Sequence, residues 1–249
     1  MILSKLLAEA EGLSHAFTER QGGGSTLPYA SLNLAYHVGD DAAAVDANHV
    51  LLAERLGYTP ERLVHMRQVH SDRIVRCTPE MGFESRPECD ALMTDLEGQP
   101  LMVMIADCTP VLLFDPRRRA VAAVHAGRAG ALKNIVGKTV AAMHDAYGSD
   151  PADLLAVLGP SIGRCCYEIG PEVAAEVEAA GCGTALSFRD GRRYLDVNAI
   201  LLQQLETAGL PAGHIENIGS CTACRTDRFF SYRAEGGTTG RQAGIIMLK

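Results

Sequence analysis

The sequence contains no long hydrophobic run and no excess of positive charge. No stretch approaches the roughly 20 apolar residues that a membrane-spanning helix requires. Lys and Arg total 23 against 30 for Asp and Glu, which gives a net charge of −7. This acidic balance argues against nonspecific nucleic-acid binding and against a basic helix lying on a membrane surface. We therefore expect neither nucleic acid nor membrane as a partner, and we favour a small-molecule ligand.

A secretory signal is also missing from the first residues, MILSKLLAEAEGL. They carry one Lys, then Glu9 and Glu11, and lack both an adequate apolar region and a small-residue cleavage site. We expect a cytoplasmic protein. In a reducing compartment the eight cysteines are mostly free thiols or ligands, because disulfides are disfavoured there.

The composition is that of an ordinary globular protein, with 47% hydrophobic and 21% charged residues in 249. We find no internal repeat, low-complexity tract or interdomain linker. Predicted strands and helices alternate without a strict βαβ rhythm. This pattern predicts a single α+β domain over residues 1–249, with mixed β-sheets and helices packed outside them.

Two helices are predicted from apolar spacing. Ala42–Leu56 is expected to be capped by Asp40 or Asp41, since an aspartate side chain accepts from the first free N–H groups of a helix. Ala129–Tyr147 carries apolar residues at helical spacing throughout and predicts one continuous helix.

Three polar residues stand where buried strands are expected to end. Asp107 and Cys108 follow the first of three short apolar runs, and His125 follows the third. Burying such polar groups costs free energy unless they are paired or bound to a ligand. His70 lies near a bend between two further strand-like segments, Leu63–His70 and Asp72–Cys77. The three apolar runs are Leu101–Ala106, Val111–Phe114 and Ala120–Val124.

His70, Cys108 and His125 permit three interpretations. Two imidazoles and one thiolate suit zinc or copper, and catalytic zinc commonly takes three protein ligands. Alternatively, Cys108 is a nucleophile, His125 its base, and the helix start after Gly127 an oxyanion site. The third interpretation is a buried cysteine beside two structural histidines. Asp107 orients a histidine, carries a proton or caps a turn.

Other cysteines and aromatic residues carry weaker signals. Cys221 and Cys224 form a single CxxC pair, and adjacent Cys165 and Cys166 supply no second pair of standard spacing, so we predict structural packing. Phe229, Phe230 and Tyr232 form either a stacking wall for a base or part of the core. Several polar residues in turns and glycine-rich loops are candidates for binding substrate or phosphate: Arg20, Asn33, Arg128, Arg164, Arg233 and Arg241.

Seven long motifs resemble the YfiH-like laccase-domain family over nearly the whole chain. The motifs are PYASLNLAYHVGDD (28–41), RQVHSDRIV (67–75), ADCTPVLLFD (106–115), VAAVHAG (121–127), LGPSIGRCCYEIG (158–170), CTAC (221–224) and FFSYRAEGGTTGRQAGIIML (229–248). The resemblance implies the YfiH-like fold and a zinc site on His70, Cys108 and His125. It also implies phosphorolysis of adenosine, inosine and methylthioadenosine, and hydrolytic deamination of adenosine. Copper-dependent phenol oxidation and peptidoglycan-precursor editing are further activities attached to this family.

The chain departs from the family pattern directly after His125. The usual segment there is Trp-Arg-Gly, whereas this chain has Arg128-Ala129-Gly130. The arginine therefore stands one position early and the tryptophan is missing, which leaves open whether Arg128 reaches the substrate.

We therefore predict a zinc-dependent purine nucleoside enzyme, with Cys108, Asp107 and His125 as catalytic residues and copper as the second candidate metal. Its substrates are expected to be purine nucleosides and phosphate. The main rival is a Cys-nucleophile amide hydrolase or peptidoglycan-precursor editing factor, and a binding module without turnover is a third reading. A copper polyphenol oxidase is disfavoured, because eight histidines spread singly are too few for a multicopper site.

Overall fold

Thirteen strands and six α-helices make up the regular structure of the computed structural model, which describes residues 1–249. The strands in chain order are β1 (Leu13–Phe17), β2 (Val64–His65), β3 (Ile74–Arg76), β4 (Ala91–Thr94), β5 (Leu101–Ile105), β6 (Thr109–Asp115), β7 (Ala120–Ala126), β8 (Leu155–Leu158), β9 (Glu168–Ile169), β10 (Leu186–Arg189), β11 (Arg192–Leu195), β12 (Ile215–Asn217) and β13 (Gln242–Leu248). The helices are α1 (Lys5–Ala8), α2 (Ala42–Leu56), α3 (Arg128–Leu132), α4 (Ile135–Tyr147), α5 (Pro171–Ala179) and α6 (Val197–Thr207).

The strands form three sheets. The largest has the order β12-β8-β6-β7-β4-β3, in which the four central strands are antiparallel and the outer pairs are parallel. A four-stranded sheet has the order β1-β13-β5-β2, and a small one has the order β10-β11-β9. The α+β class with mixed sheets is therefore confirmed.

Strand β6 shows why the central strands are apolar throughout. Val111 and Leu113 pack in a cluster with helices α4 and α6, whereas Leu112 and Phe114 pack in a second cluster with strands of the four-stranded sheet. Successive side chains of a strand point to opposite faces, so a strand covered on both faces needs apolar residues at every position. The six-stranded sheet thus lies between helices on one side and a second sheet on the other.

Four of the six helices are capped at their N-termini by a side chain, namely that of Ser4, Asp41, Asn134 or Asp196. Asp41 caps α2 by accepting from the N–H of Ala43 at 3.1 Å, as predicted. The prediction of one helix over Ala129–Tyr147 was wrong, because Asn134 adopts a left-handed φ of 59° and separates α3 from α4. Its side chain accepts from the N–H of Gly137 and starts the second helix. None of the six α-helices combines the length and the hydropathy of a membrane-spanning segment.

The two strand segments expected around His70 are much shorter than predicted. Only β2 and β3 are regular, and the intervening residues are irregular. The backbone N–H groups of Val69, His70 and Ser71 all turn towards the carboxylate of Asp90 instead of pairing with a strand. The side chain of Asp90 therefore determines the chain path here.

A buried asparagine on α2 holds the loop that precedes it. The amide of Asn48 donates to the carbonyl of Asn33 at 2.8 Å and accepts from the N–H of Gly24 at 2.8 Å. We expect Asn48→Ala to lower the free energy of unfolding by about 2 kcal/mol, because it leaves buried backbone groups unpaired. Urea unfolding measures this change. Val50→Ala on the exposed face of the same helix is the control, and equal effects of the two substitutions would contradict the assignment.

Candidate metal centre and its pocket

Sheet register brings together residues that lie far apart in sequence. In the β6–β7 hairpin Pro110 pairs with His125, which places Cys108, just before β6, beside the end of β7. Ala91 of β4 pairs with Val124 on the other side of β7, so Asp90 lies next to His125. One strand end thus collects the thiol, one imidazole and a carboxylate.

Asp90 connects the two histidines. Its Oδ1 lies 2.8 Å from His125 Nδ1 and accepts the backbone N–H of His70 at 3.0 Å. Its Oδ2 accepts both the N–H and the hydroxyl of Ser71, at 2.6 and 2.7 Å. His70 has a φ of 57°, a left-handed conformation that is uncommon outside glycine, and the hydrogen bond from its N–H to Asp90 stabilises it. The sequence reasoning missed Asp90, whose one signal was a carboxylate at the start of a buried strand.

His70, Cys108 and His125 come together as predicted. Cys108 Sγ lies 3.9 Å from His70 Nε2, and the ligand atoms of all three residues lie within 4.8 Å of one another. A tetrahedral zinc ion would place sulfur and nitrogen about 3.6 Å apart. Because Nδ1 of His125 faces Asp90, its Nε2 is left for a ligand. The donor set and spacing therefore fit a metal ion.

Gly127 permits this close approach. A Cβ atom at this position would lie 2.8 Å from Cys108 Sγ and 3.2 Å from the His70 ring. Any larger residue would push these two side chains apart.

The charges of the cluster support one another. Burial opposes ionisation of Cys108, but His125 and His70 outweigh it and lower the pKa of the thiol to about 6. Burial likewise opposes protonation of His125, but Cys108 and Asp90 outweigh it and raise its pKa to about 9. For Asp90 the hydrogen bonds from His125 and Ser71 overcome burial and keep its pKa far below the usual range. The thiolate form of Cys108, which a metal requires, is thus favoured.

The cluster opens into a cavity of about 870 Å³ with a positively charged wall. Asp107 is the one carboxylate among its lining residues. Arg233 and Arg241 make no ion pair with any carboxylate, whereas Arg128 pairs with Glu176. The lining arginines are Arg67, Arg86, Arg128, Arg233 and Arg241. In an otherwise acidic protein this wall favours an anionic ligand.

Asp107 anchors the chain segment that carries Arg233. Its carboxylate accepts from the hydroxyls of Thr222 and Ser231 at 2.6 and 2.7 Å, and from the backbone N–H of Arg233 at 2.7 Å. Three donors from its own chain give it a positioning role. The proton-carrier role suggested by the sequence stays a prediction.

The two unpaired arginines are held by neutral groups. Arg233 donates to the carbonyl of Glu168 at 2.9 Å and stacks over Tyr167. Arg241 donates to the carbonyls of Thr239 and Gly240. Carbonyl oxygens fix a guanidinium without cancelling its charge, so both groups keep their attraction for an anion.

The structure does not bring three of the predicted substrate residues to the cavity wall. Arg20 is buried, where it binds Glu235 at 3.0 Å and lies over Phe230. Asn33 is also buried and accepts the backbone N–H of Arg241 at 2.8 Å, so it supports a pocket residue from behind. Arg164 is exposed and lies outside the lining.

Among the predicted aromatic residues, Tyr232 lines the cavity, while Phe229 and Phe230 are fully buried. Arg128 does reach the cavity despite the shifted motif. It begins α3, a helix of only five residues where the sequence suggested an oxyanion site. Sequence reasoning missed further lining residues, among them Tyr36, His37, His65, Gln68 and Tyr167.

The sequence analysis predicted structural packing for Cys221 and Cys224 and found no second cysteine pair of standard spacing, but the fold brings Cys165 and Cys166 beside them. The sulfur atoms of Cys165, Cys166, Cys221 and Cys224 all lie within 4.8 Å of one another. Spacing along the chain did not reveal this, because the two pairs meet through the fold.

Fold and cluster together define an α+β protein with a His-Cys-His cluster, suited to a metal ion, in an arginine-lined pocket. Comparison with known proteins agrees with that class. The family model described as multi-copper polyphenol oxidoreductase laccase matches residues 14–249. The chain belongs to this laccase-like family, as its motifs predicted.

Relatives and solved structures cover almost the whole chain. A purine nucleoside phosphorylase of Corynebacterium glutamicum is 42% identical over 234 residues, covering 93% of both chains. A purine nucleoside phosphorylase of Streptomyces coelicolor is 41% identical, covering 95% of this chain and 96% of its own. The crystal structure of YfiH from Bacillus licheniformis matches with a TM-score of 0.92 at 33% identity, covering 97% of this chain and 94% of that one. The names of these relatives support an enzymatic function.

Asp90→Asn tests whether the carboxylate prepares the cluster for metal. We expect metal affinity to fall about 10–100-fold, because His125 loses the partner that fixes its orientation. Competition with a chelating dye measures the affinity. Asp115→Asn is the matched control, since Asp115 is also buried but lies at the other end of β6. Unchanged affinity in a folded Asp90→Asn variant would contradict this role.

Proposed function

We propose that the chain is a zinc-dependent purine nucleoside phosphorylase. It would use phosphate to split adenosine, inosine and methylthioadenosine into the free base and ribose 1-phosphate or its methylthio derivative. The observation that carries the proposal is the position of Arg233 and Arg241. The guanidinium groups of both are free of carboxylate partners, and both residues line the same cavity as the His70, Cys108 and His125 cluster. The names of the relatives support the same activity.

Zinc is the metal we favour for this centre. Two imidazoles and one thiolate are a ligand set that zinc accepts while one position stays open to substrate. A bound zinc ion would supply a Lewis acid at the base of the pocket. The same donors also bind copper, but the cluster provides ligands for one ion only, which disfavours a multicopper oxidase.

The arginines have a direct role in phosphorolysis. An oxygen of phosphate forms a bond to C1′ of the ribose, while the C1′–N9 bond breaks and the base leaves with its electron pair. Guanidinium groups bind phosphate through two parallel hydrogen bonds, which fixes the direction of attack. Asp107 and Asn33 hold the backbones of Arg233 and Arg241, so the phosphate site is set before substrate arrives.

We extend the proposal to hydrolytic deamination of adenosine, in which water adds at C6 of the base and ammonia leaves. A cavity of about 870 Å³ is of the size that holds one small ligand. Both reactions therefore use the same bound nucleoside. Adenosine that is deaminated first then gives hypoxanthine on phosphorolysis.

Product analysis tests both reactions. Incubation of the metal-replete protein with adenosine and phosphate should yield adenine, inosine and hypoxanthine, separated by liquid chromatography. Cys108→Ala should abolish formation of all three products, because it removes a ligand of the centre. Cys182→Ser is the control and should leave all three products, since Cys182 belongs neither to the His70–Cys108–His125 cluster nor to the four-cysteine cluster. Absence of product from the metal-replete wild type would refute the proposal.

The phosphate site is tested by kinetics. We expect Arg233→Ala and Arg241→Ala each to raise KM for phosphate roughly tenfold to a hundredfold, the effect of losing a charged hydrogen-bond donor. KM for the nucleoside should change less. Arg164→Ala is the control, since Arg164 is exposed outside the cavity. Equal phosphate KM values in all three variants would place the phosphate elsewhere.

A Cys-nucleophile amide hydrolase, including one that edits peptidoglycan precursors, is the second candidate. The contact of Asp90 with His125 beside a half-buried Cys108 is the geometry that activates a thiol nucleophile. This candidate requires a covalent adduct at Cys108 during turnover and activity that survives chelation. Phosphorolysis that is lost on chelation and restored by zinc excludes it.

A further inference from the structure

Two loops carry the four cysteines outside the candidate active centre. Cys165 and Cys166 follow β8, and Cys221 and Cys224 follow β12. The two strands are parallel neighbours, so the segments that leave their carboxyl ends run side by side. A parallel bridge between Ser161 and Cys221 continues the pairing beyond the strands.

The sulfur atoms are spaced as metal ligands. Cys224 Sγ lies 3.5 Å from that of Cys165 and 3.3 Å from that of Cys166, and all four atoms lie within 4.8 Å. Tetrahedral zinc with Zn–S bonds of 2.3 Å would separate its sulfurs by about 3.8 Å. Cys165 and Cys224 are exposed, and the other two are half-buried. Packing in an apolar core therefore does not explain the cluster.

The backbone around the cluster fits thiolates. The N–H of Gly163 points at Cys221 Sγ from 3.3 Å, a hydrogen bond that stabilises negative charge on sulfur. A Cβ atom on Gly163 would lie only 3.3 Å from Cys165 Sγ. Four thiolates around a divalent ion leave two negative charges, and Arg164 adjoins Cys165 in sequence.

We propose that Cys165, Cys166, Cys221 and Cys224 form a second metal site, structural in role and suited to zinc. Its four protein ligands leave no position for substrate, unlike the three ligands of the first centre. The proposal rests on the convergence of the four sulfurs and is independent of the reaction that the pocket performs.

A metal here would clamp the two loops behind Asp107. From the first loop, Ile162 donates its N–H to the carbonyl of Asp107 at 2.9 Å. From the second, Thr222 donates its hydroxyl to the carboxylate of Asp107 at 2.6 Å. Joining the loops through one ion fixes both contacts, so the second site would support the pocket from outside.

Metal stoichiometry tests the proposal on the full chain. Protein purified from zinc-supplemented cells should contain about two zinc ions per chain by elemental analysis. Cys224→Ser should remove one ion and leave the other, because its sulfur is adjacent to those of Cys165 and Cys166. His70→Ala should remove the ion held by His70, Cys108 and His125, and the variant that carries both His70→Ala and Cys224→Ser should hold no zinc. Cys182→Ser should keep both ions. Cys224→Ser protein that keeps the full wild-type zinc content would overturn the proposal.

Thiol titration of the wild type tests it without any risk to folding. After denaturation without reductant, all eight cysteines should react, whereas a disulfide within the cluster would leave six and overturn the proposal. In the native zinc-loaded protein, Cys165 and Cys224 are exposed yet should resist alkylation until a strong chelator is added. Mass spectrometry identifies the alkylated residues. Fast alkylation of both before chelation would also overturn the proposal.

Discussion

The carboxylate of Asp90 is the constraint on which the candidate centre depends. It is fully buried, and such a charge is tolerated only when donors surround it. Three backbone N–H groups of residues 69–71, a hydroxyl and the His125 ring supply those donors. Satisfying one buried charge thus forces the turn that carries His70 against the strand that carries His125. The relative position of the two imidazoles therefore follows from the hydrogen bonds that the Asp90 carboxylate requires.

Part of the centre was predictable because strand ends are visible in a sequence. Cys108 directly precedes the second apolar run and His125 follows the third. These two runs form the β6–β7 hairpin, so the local pattern places the two residues close together. His70 carries no such signal. It lies in an irregular segment, and the resemblance to a family singled it out more firmly than the residues did. Its place depends on Asp90, which lies 20 positions further along the chain.

The rest of the site depends on contacts between segments that lie far apart in the chain, and residue spacing in the sequence does not predict such contacts. The convergence of the four cysteines was missed because Cys165 and Cys224 lie 59 positions apart, and the parallel pairing of β8 with β12 joins their loops. Arg20 was misjudged for a different reason. A glycine-rich loop beside an arginine is typical of an anion site, but this guanidinium is already satisfied by carbonyl oxygens and Glu235. Composition shows that a charge is present, and only the fold shows whether it is already paired.

The β6–β7 hairpin also has a consequence for the order in which the molecule assembles. Hairpins close within about 1–10 microseconds, whereas contacts between distant segments wait for longer loops to close. The hairpin alone brings Cys108 and His125 together, whereas His70 lies 38 positions from Cys108 and needs the closure of a longer loop. The sulfurs of the other four cysteines require a still longer closure. Topology therefore predicts an order of assembly, in which two of the three ligands of the first centre meet before the two cysteine pairs of the second come together.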